Sequence, residues 1–194
     1  MSGARWWLVR HAPVRGWDGR IYGCSEVPCD TADGAAFGAL AAHLPGDAVL
    51  VESGLGRCRQ TAVALVAAGA RLPPPVVDAD LAEQSFGDWQ GLSWADIPDP
   101  RFWDAPTTTA PPGGESFAQV IARVGRSVAR LSAAHAGRDI VAVVHAGTVR
   151  AALALALDLS PPAALRLVVD NLSLTRLDLT PQGWRVVAVN ARPR

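Results

Sequence analysis

Two stretches of this chain are apolar at nearly every position, and each runs into a histidine. The first is Trp6-Trp7-Leu8-Val9 ahead of Arg10-His11, and the second is Ile140-Val141-Ala142-Val143-Val144 ahead of His145. A strand with one wet face alternates polar and apolar side chains. Unbroken apolar runs of this length instead predict strands covered on both faces, as in a parallel sheet between layers of helices. Parallel strands need long crossover connections, and helical periodicity fills the intervals. Strands are expected at Arg5–Val9, Ala48–Val51, Val76–Val77 with its flanks, and Ile140–Val144. Helices are expected at Ala32–Leu44, Gly56–Ala68, Glu115–Ala136, Thr148–Leu157 and Pro162–Val168. The longest carries Phe117, Val120, Ile121, Val124, Val128 and Leu131 at three-to-four spacing. Ser173–Leu179 and Trp184–Val189, around the turn Thr180-Pro181-Gln182-Gly183, read as a hairpin. The fold class is therefore α/β, a three-layer open sheet, mainly parallel, with helices on both faces.

A chain of 194 residues is expected to form one domain spanning 1–194. One segment departs from the strand–helix rhythm. Residues 84–114 hold Phe86, Trp89, Trp94, Phe102 and Trp103 among prolines and a threonine run, and such a long irregular excursion reads as a lid-like insertion.

Charge excludes several functions. The 18 basic and 18 acidic side chains cancel, so no extended polyanion or membrane surface is an expected partner. All 18 basic residues are arginine, which removes the lysine of a Walker-type phosphate loop and the amine of Schiff-base chemistry. Any grip on phosphate or carboxylate must come from guanidinium forks. No apolar run reaches membrane-spanning length, and no secretory signal is recognisable at the N-terminus. Cys24, Cys29 and Cys58 lack metal-binding spacing and are expected as free thiols in a cytoplasmic protein, with a Cys24–Cys29 bridge as the alternative.

Position separates the four histidines. His43 and His135 sit at helix ends, where the dipole accounts for them. His11 and His145 each follow a buried strand, at the carboxyl edge where open α/β sheets place their ligand crevice. Arg10 shares the first strand end. Arg57 opens a helix in Ser53-Gly54-Leu55-Gly56-Arg57, where backbone N–H groups favour an anion. Asp80-Leu81-Ala82-Glu83 brings a carboxylate to the next strand end. Arg123, Arg126 and Arg130 read as a solvated helix face.

These residues carry a resemblance. Leu8-Val9-Arg10-His11-Ala12 resembles the first signature of the histidine phosphatase (phosphoglycerate-mutase-like) superfamily. The stretches Ser53–Ala62, Leu81–Trp89, Gly113–Phe117 and Val144–Gly147 are similar to its later motifs, in family order. The chain departs at Ala12 and Ala146, where glycine is common, and at Trp17, where an asparagine often binds phosphate. Within the superfamily, Phe86-Gly87-Asp88-Trp89 and Val169-Asp170-Asn171 look most similar to the α-ribazole phosphatase branch of cobalamin biosynthesis.

The resemblance implies a phosphoglycerate-mutase-like fold and a metal-independent phosphatase without cofactor. Its expected roles are His11 as nucleophile, Glu83 as proton donor and acceptor, His145 as a further catalytic residue, and Arg10, Arg57 and His145 as phosphate ligands. Trp17, Tyr22 and Trp89 are the expected substrate pocket. The partner would be a small phosphomonoester, α-ribazole 5′-phosphate among the candidates, with a homodimer left open. Three other readings compete. A serine hydrolase on Ser53 and His145 lacks the glycine two residues before the serine, where Val51 stands. A dinucleotide fingerprint fails at Arg59, where close helix packing asks for glycine. The third is a catalytically silent phospho-ligand-binding module.

Overall fold

The apolar runs form the centre of one six-stranded sheet. In the computed structural model, which describes residues 3–17, 19–99 and 101–193, β1 (Arg5–Arg10) and β4 (Asp139–Val144) lie side by side in parallel. Continuing outward from β4 are β2 (Val49–Glu52) and the two-residue edge strand β3 (Val76–Val77), both parallel. On the other side β5 (Leu174–Thr180) pairs antiparallel with β1, and β6 (Gly183–Ala191) closes the hairpin. The spatial order is β3-β2-β4-β1-β5-β6. The expected hairpin and mainly parallel α/β sheet are both present.

Helices cover the two faces. On one side α1 (Gly34–His43) and α2 (Gly56–Ala67) pack Phe37, Leu40 and Leu65 onto Val9, Leu50 and Val141. On the other, α4 (Phe117–Ala134), α5 (Ala146–Leu157) and α6 (Pro161–Leu165) bury Val120, Val124 and Leu153 against Leu8, Ile140 and Ala142. Successive residues of β1 and β4 thus feed opposite cores, which is why neither strand alternates with polar residues.

Local capping sets several boundaries inside the expected ones. Ser116 and Gln119 form a reciprocal capping box, so α4 starts at Phe117 rather than Glu115. Asp33 caps α1 through the Ala36 N–H, whereas Ser160 with Pro161 at the first position starts α6 one residue before the expected Pro162. Likewise, α5 begins earlier than expected, directly after His145.

Residues 84–114 contain two short 3-10 turns, Gly87–Trp89 and Trp94–Asp96, and a one-turn helix α3 (Arg101–Asp104). They build a separate apolar cluster of Phe86, Trp89, Ile97 and Phe102 around Ile21. Gly87 is obligatory there: its φ is +49°, and a Cβ would run into the backbone of Pro112 to Gly114.

Among the described residues, no helix is long and apolar enough to cross a membrane. The three cysteines are free thiols. One expectation is corrected. Arg123 is not on a solvated face: its side chain is largely buried, pairs with Glu115 and donates to the carbonyls of Asp80, Ala82 and Glu83. Arg130 likewise reaches across to Asp78. Arg123 therefore clamps the segment that carries Glu83, a role that helical periodicity alone does not reveal.

Candidate active site

Strand register brings the two histidines together. Arg10 of β1 stands opposite Val144 of β4, so the next residues, His11 and His145, leave the sheet side by side. The His11 N–H donates to the Val144 carbonyl at 2.9 Å, and the ring centroids are 5.1 Å apart. Both imidazoles and the Arg57 side chain are fully buried.

The hydrogen bonds fix the chemistry of His11. Its Nδ1 lies 2.7 Å from the Ala12 carbonyl, which can only accept, so Nδ1 carries the hydrogen. The lone pair is then on Nε2, which is buried and has no partner. Burial, then the positive charge of Arg57 and, more weakly, Arg10, push the pKa of His11 down to about 3. The ring is neutral with one nitrogen unoccupied, the state an imidazole nucleophile needs.

His145 is held at both edges. Arg57 Nε–H donates to Nδ1 at 3.3 Å, which places the ring hydrogen on Nε2, 2.7 Å from Ser53 Oγ and 3.3 Å from Cys58 Sγ. Burial, His11 and the arginines hold the His145 pKa well below the ordinary imidazole value. Ser53, considered above only as a nucleophile, does meet His145. However, its Oγ accepts from His145 Nε2–H and from the Leu55 N–H, on the ring edge away from Arg57, whereas Nε2 of His11 has no partner. The place of Ser53 is that of a proton partner. Burial pushes the Cys58 thiol up to about 12, which keeps it protonated.

Arg57 also donates to the carbonyls of Gly23 and Ser25, at 2.6 and 2.8 Å, and so pins the loop after β1. The expected anion-binding start of α2 is corrected. Glu26 accepts from the Gly56 N–H at 2.9 Å and Glu52 from the Gly54 N–H at 2.8 Å, so side-chain carboxylates already occupy it. The same contacts oppose a pyrophosphate there.

Arg10 donates to the Val169 carbonyl, and Asn171 Nδ2 donates to the His11 carbonyl. The loop before β5 thereby fixes the strand end, a tertiary role for Asn171 that its sequence position does not disclose. Glu83 sits on the start of α5, both carboxylate oxygens accepting from the Gly147 N–H at 3.1 and 3.2 Å. A Cβ at Gly147 would meet Glu83 Oε1, so a side chain there displaces the Glu83 carboxylate.

A cavity of about 470 Å³ opens beside Glu83 and Gly147, walled by Tyr22, Phe86, Trp94, Trp103 and Arg150. Of the three aromatic residues expected at the pocket, Tyr22 lines it. On its other side Tyr22 meets His11 edge-on at 6.4 Å and lies under the Arg57 guanidinium at 5.1 Å. Trp17 stands behind Tyr22, and Trp89 is buried against Phe102 beneath the insertion. Neither lines the cavity. Phe86, Trp94 and Trp103 take that place because the turns of residues 84–114 face them inward, which periodicity could not resolve.

Residues 6–192 match the histidine phosphatase superfamily (branch 1). The chain is 39% identical over 155 residues to the bifunctional protein Rv2228c of Mycobacterium tuberculosis, covering 77% of this chain but only 42% of that longer relative. It is 32% identical over 170 residues to the adenosylcobalamin/alpha-ribazole phosphatase of Salmonella typhimurium, covering 82% of each. The native structure of mycobacterial glucosyl-3-phosphoglycerate phosphatase Rv2419c superposes with a TM-score of 0.80 at 31% identity, over 96% of this chain and 98% of that one. With an unoccupied imidazole nitrogen flanked by a second histidine and two arginines, and a match over nearly its whole length, the chain belongs to the histidine phosphatase superfamily.

Proposed function

We propose that this protein hydrolyses a small phosphomonoester through a phosphohistidine on His11. The observation that carries this reading is the unpartnered Nε2 of a neutral, buried His11 beside Arg57 and His145. Nε2 attacks phosphorus in line, an N–P bond forms and the ester P–O bond breaks, while Glu83 protonates the departing oxygen. Water then attacks the phosphohistidine, Glu83 takes its proton, the N–P bond breaks and phosphate leaves. Arg10 and Arg57 neutralise the non-bridging oxygens, the principal demand of phosphoryl transfer.

His145 joins them through a change of hydrogen position. Once a phosphate draws the Arg57 Nε–H to itself, the ring changes tautomer, Nε2 losing its proton to solvent and Nδ1 taking one from solvent; Nδ1–H then donates to the phosphate and Nε2 accepts a hydrogen bond from the Ser53 hydroxyl. A hydroxyl both donates and accepts, so the exchange leaves no buried atom unpaired.

Residues 84–114 act in this proposal as a lid whose Trp94 and Trp103 meet the leaving group. An aromatic leaving group such as the benzimidazole riboside of α-ribazole 5′-phosphate suits those walls, and an α-ribazole phosphatase is among the relatives. Other relatives act on glucosyl-3-phosphoglycerate or are metal-independent phosphoserine phosphatases. A cytoplasmic setting fits three free thiols.

The test is release of phosphate from p-nitrophenyl phosphate, with acid quenching of ³²P-labelled enzyme. We expect turnover in the presence of chelator, a label that is stable in alkali and lost in acid, and neither in His11→Ala. Phosphate binding without turnover would instead establish a silent binding module.

A further inference from the structure

The last residues before β5 are turned toward the end of β1. The Val169 carbonyl accepts from Arg10 Nη1 at 2.7 Å, and Asn171 Nδ2 donates to the His11 carbonyl at 2.8 Å. The Leu172 N–H donates to the Arg10 carbonyl at 3.1 Å, and the Arg10 N–H to the Ser173 carbonyl at 3.2 Å. Two residues, Leu172 and Ser173, thus stand opposite Arg10 alone, which is a β-bulge. Leu172 adopts φ +56°, a left-handed conformation disfavoured for any residue with a Cβ. Packing of its side chain against the core on the α1–α2 side holds it there.

The bulge aims Ser173. Trp6 and Leu8 of β1 and Leu177 of β5 face the core on the α4–α5 side. Side chains alternate along a strand, so Arg10 and Ser173 leave the ladder on that same face, as cross-strand neighbours. Ser173 is 1% exposed, and among the described residues its hydroxyl has no partner. Other buried hydroxyls do: Ser127 donates to Asp78, Ser132 accepts from Trp6, Thr148 donates to the Leu81 carbonyl, and Thr175 accepts from the Asn190 N–H. Arg10 Nε is likewise buried and unpartnered. A group that can only donate and a hydroxyl that can accept therefore stand as neighbours, both unpaired. Such groups are costly to bury, and strain beside a reacting residue is kept where a loaded state uses it.

We propose that Ser173 is a positioning residue for Arg10. Its Oγ accepts the Arg10 Nε–H once phosphate draws the guanidinium into the site, and the terminal N–H groups are thereby held on the non-bridging oxygens. This rests on the phosphatase reading and adds a residue to it. In the resting protein Nη1 is committed to the Val169 carbonyl. Phosphate competes for that nitrogen, and a planar guanidinium turns as a unit. A partner at Nε sets the plane in which it comes to rest.

The experiment measures stability and oxyanion binding together. In phosphate-free buffer Ser173→Ala removes an unpaired hydroxyl, so Tm should hold or rise. Its affinity for inorganic phosphate by calorimetry, and kcat/KM on p-nitrophenyl phosphate, should each fall about 10- to 100-fold, the range of one hydrogen bond to a charged group. Ser173→Thr, which keeps the hydroxyl, should retain most of both. Lysine carries no N–H behind its terminal nitrogen. In an Arg10→Lys background, adding Ser173→Ala should therefore change phosphate affinity no further. Equal losses in the two backgrounds would make Ser173 a structural residue and overturn the proposal, as would an unchanged affinity in Ser173→Ala. Phosphate binding needs no turnover, so the two readings fail separately. A wild type that binds phosphate but hydrolyses no ester removes the phosphatase reading, and the double-mutant comparison still decides Ser173. A wild type that binds no phosphate removes both.

Discussion

Replacing Gly147 by alanine isolates the task assigned to Glu83 from the rest of the site. The added Cβ would overlap Glu83 Oε1 and stand 3.3 Å from Cδ. Carbon and oxygen settle near about 3.5 Å, so the carboxylate must retreat by roughly an ångström. Both of its bonds from the Gly147 N–H, at 3.1 and 3.2 Å, would be stretched or lost. A misplacement of about 1 Å at a reacting group costs on the order of 100-fold in rate, or about 2.7 kcal/mol of barrier. Arg123 holds the Glu83 backbone through its carbonyl, so the side chain has to absorb the displacement.

Leaving groups separate the two steps. With an alkyl phosphate, whose departing oxygen needs the proton, kcat should fall about 100-fold. p-Nitrophenolate needs no proton to leave, so a rapid burst of one equivalent should survive, followed by slow turnover as phosphohistidine waits for a base. Alanine is the better helix former by about 1 kcal/mol, so Tm should not fall with activity. An unchanged kcat on the alkyl phosphate, with Tm also unchanged, would refute the placement of Glu83 as the proton-transfer group.

Two further predictions concern the histidines. Ser53→Ala leaves Nε2 of His145 without its hydroxyl partner. The expected result is a 10-fold or greater loss of kcat with a displaced pH profile, measured on p-nitrophenyl phosphate and partly rescued by Ser53→Thr. Stability should also depend on pH. The folded pKa of His11, about 3, lies below its ordinary value of 6.5. Below pH 6.5 the unfolded chain therefore binds the proton and the folded chain does not. Stability is fully present above pH 6.5 and declines toward pH 3 with a slope of about 1.4 kcal/mol per pH unit for each such histidine. His145 adds to it in the same direction. Urea melts between pH 7 and pH 4 should show this slope, shallower in His11→Asn; equal slopes would contradict the neutral, buried His11.

The fold and the central residues were legible because they obey local rules. Runs apolar on both faces require a covered parallel sheet, and a histidine directly after such a run has to emerge at its carboxyl edge. The same rule located His145, and an arginine at the head of the helix after β2 marked Arg57. What the sequence could not disclose were relations across the fold. Arg123 looked like a solvated helical position, yet it clamps the Glu83 segment because α4 packs against the turn that follows β3. Ser53 looked like a failed nucleophile, yet it partners His145 from 92 positions away.

By itself, then, the sequence determined an α/β sheet whose central strands deliver two histidines and an arginine to one edge, without lysine to assist them. Tertiary structure decided which nitrogen of each histidine carries a hydrogen, which aromatic residues face the cavity, and which buried hydroxyl stands opposite Arg10. The physical reason is range. Periodicity and capping act over three or four residues, whereas protonation and charge pairing depend on every group within a few ångströms, whatever its distance along the chain.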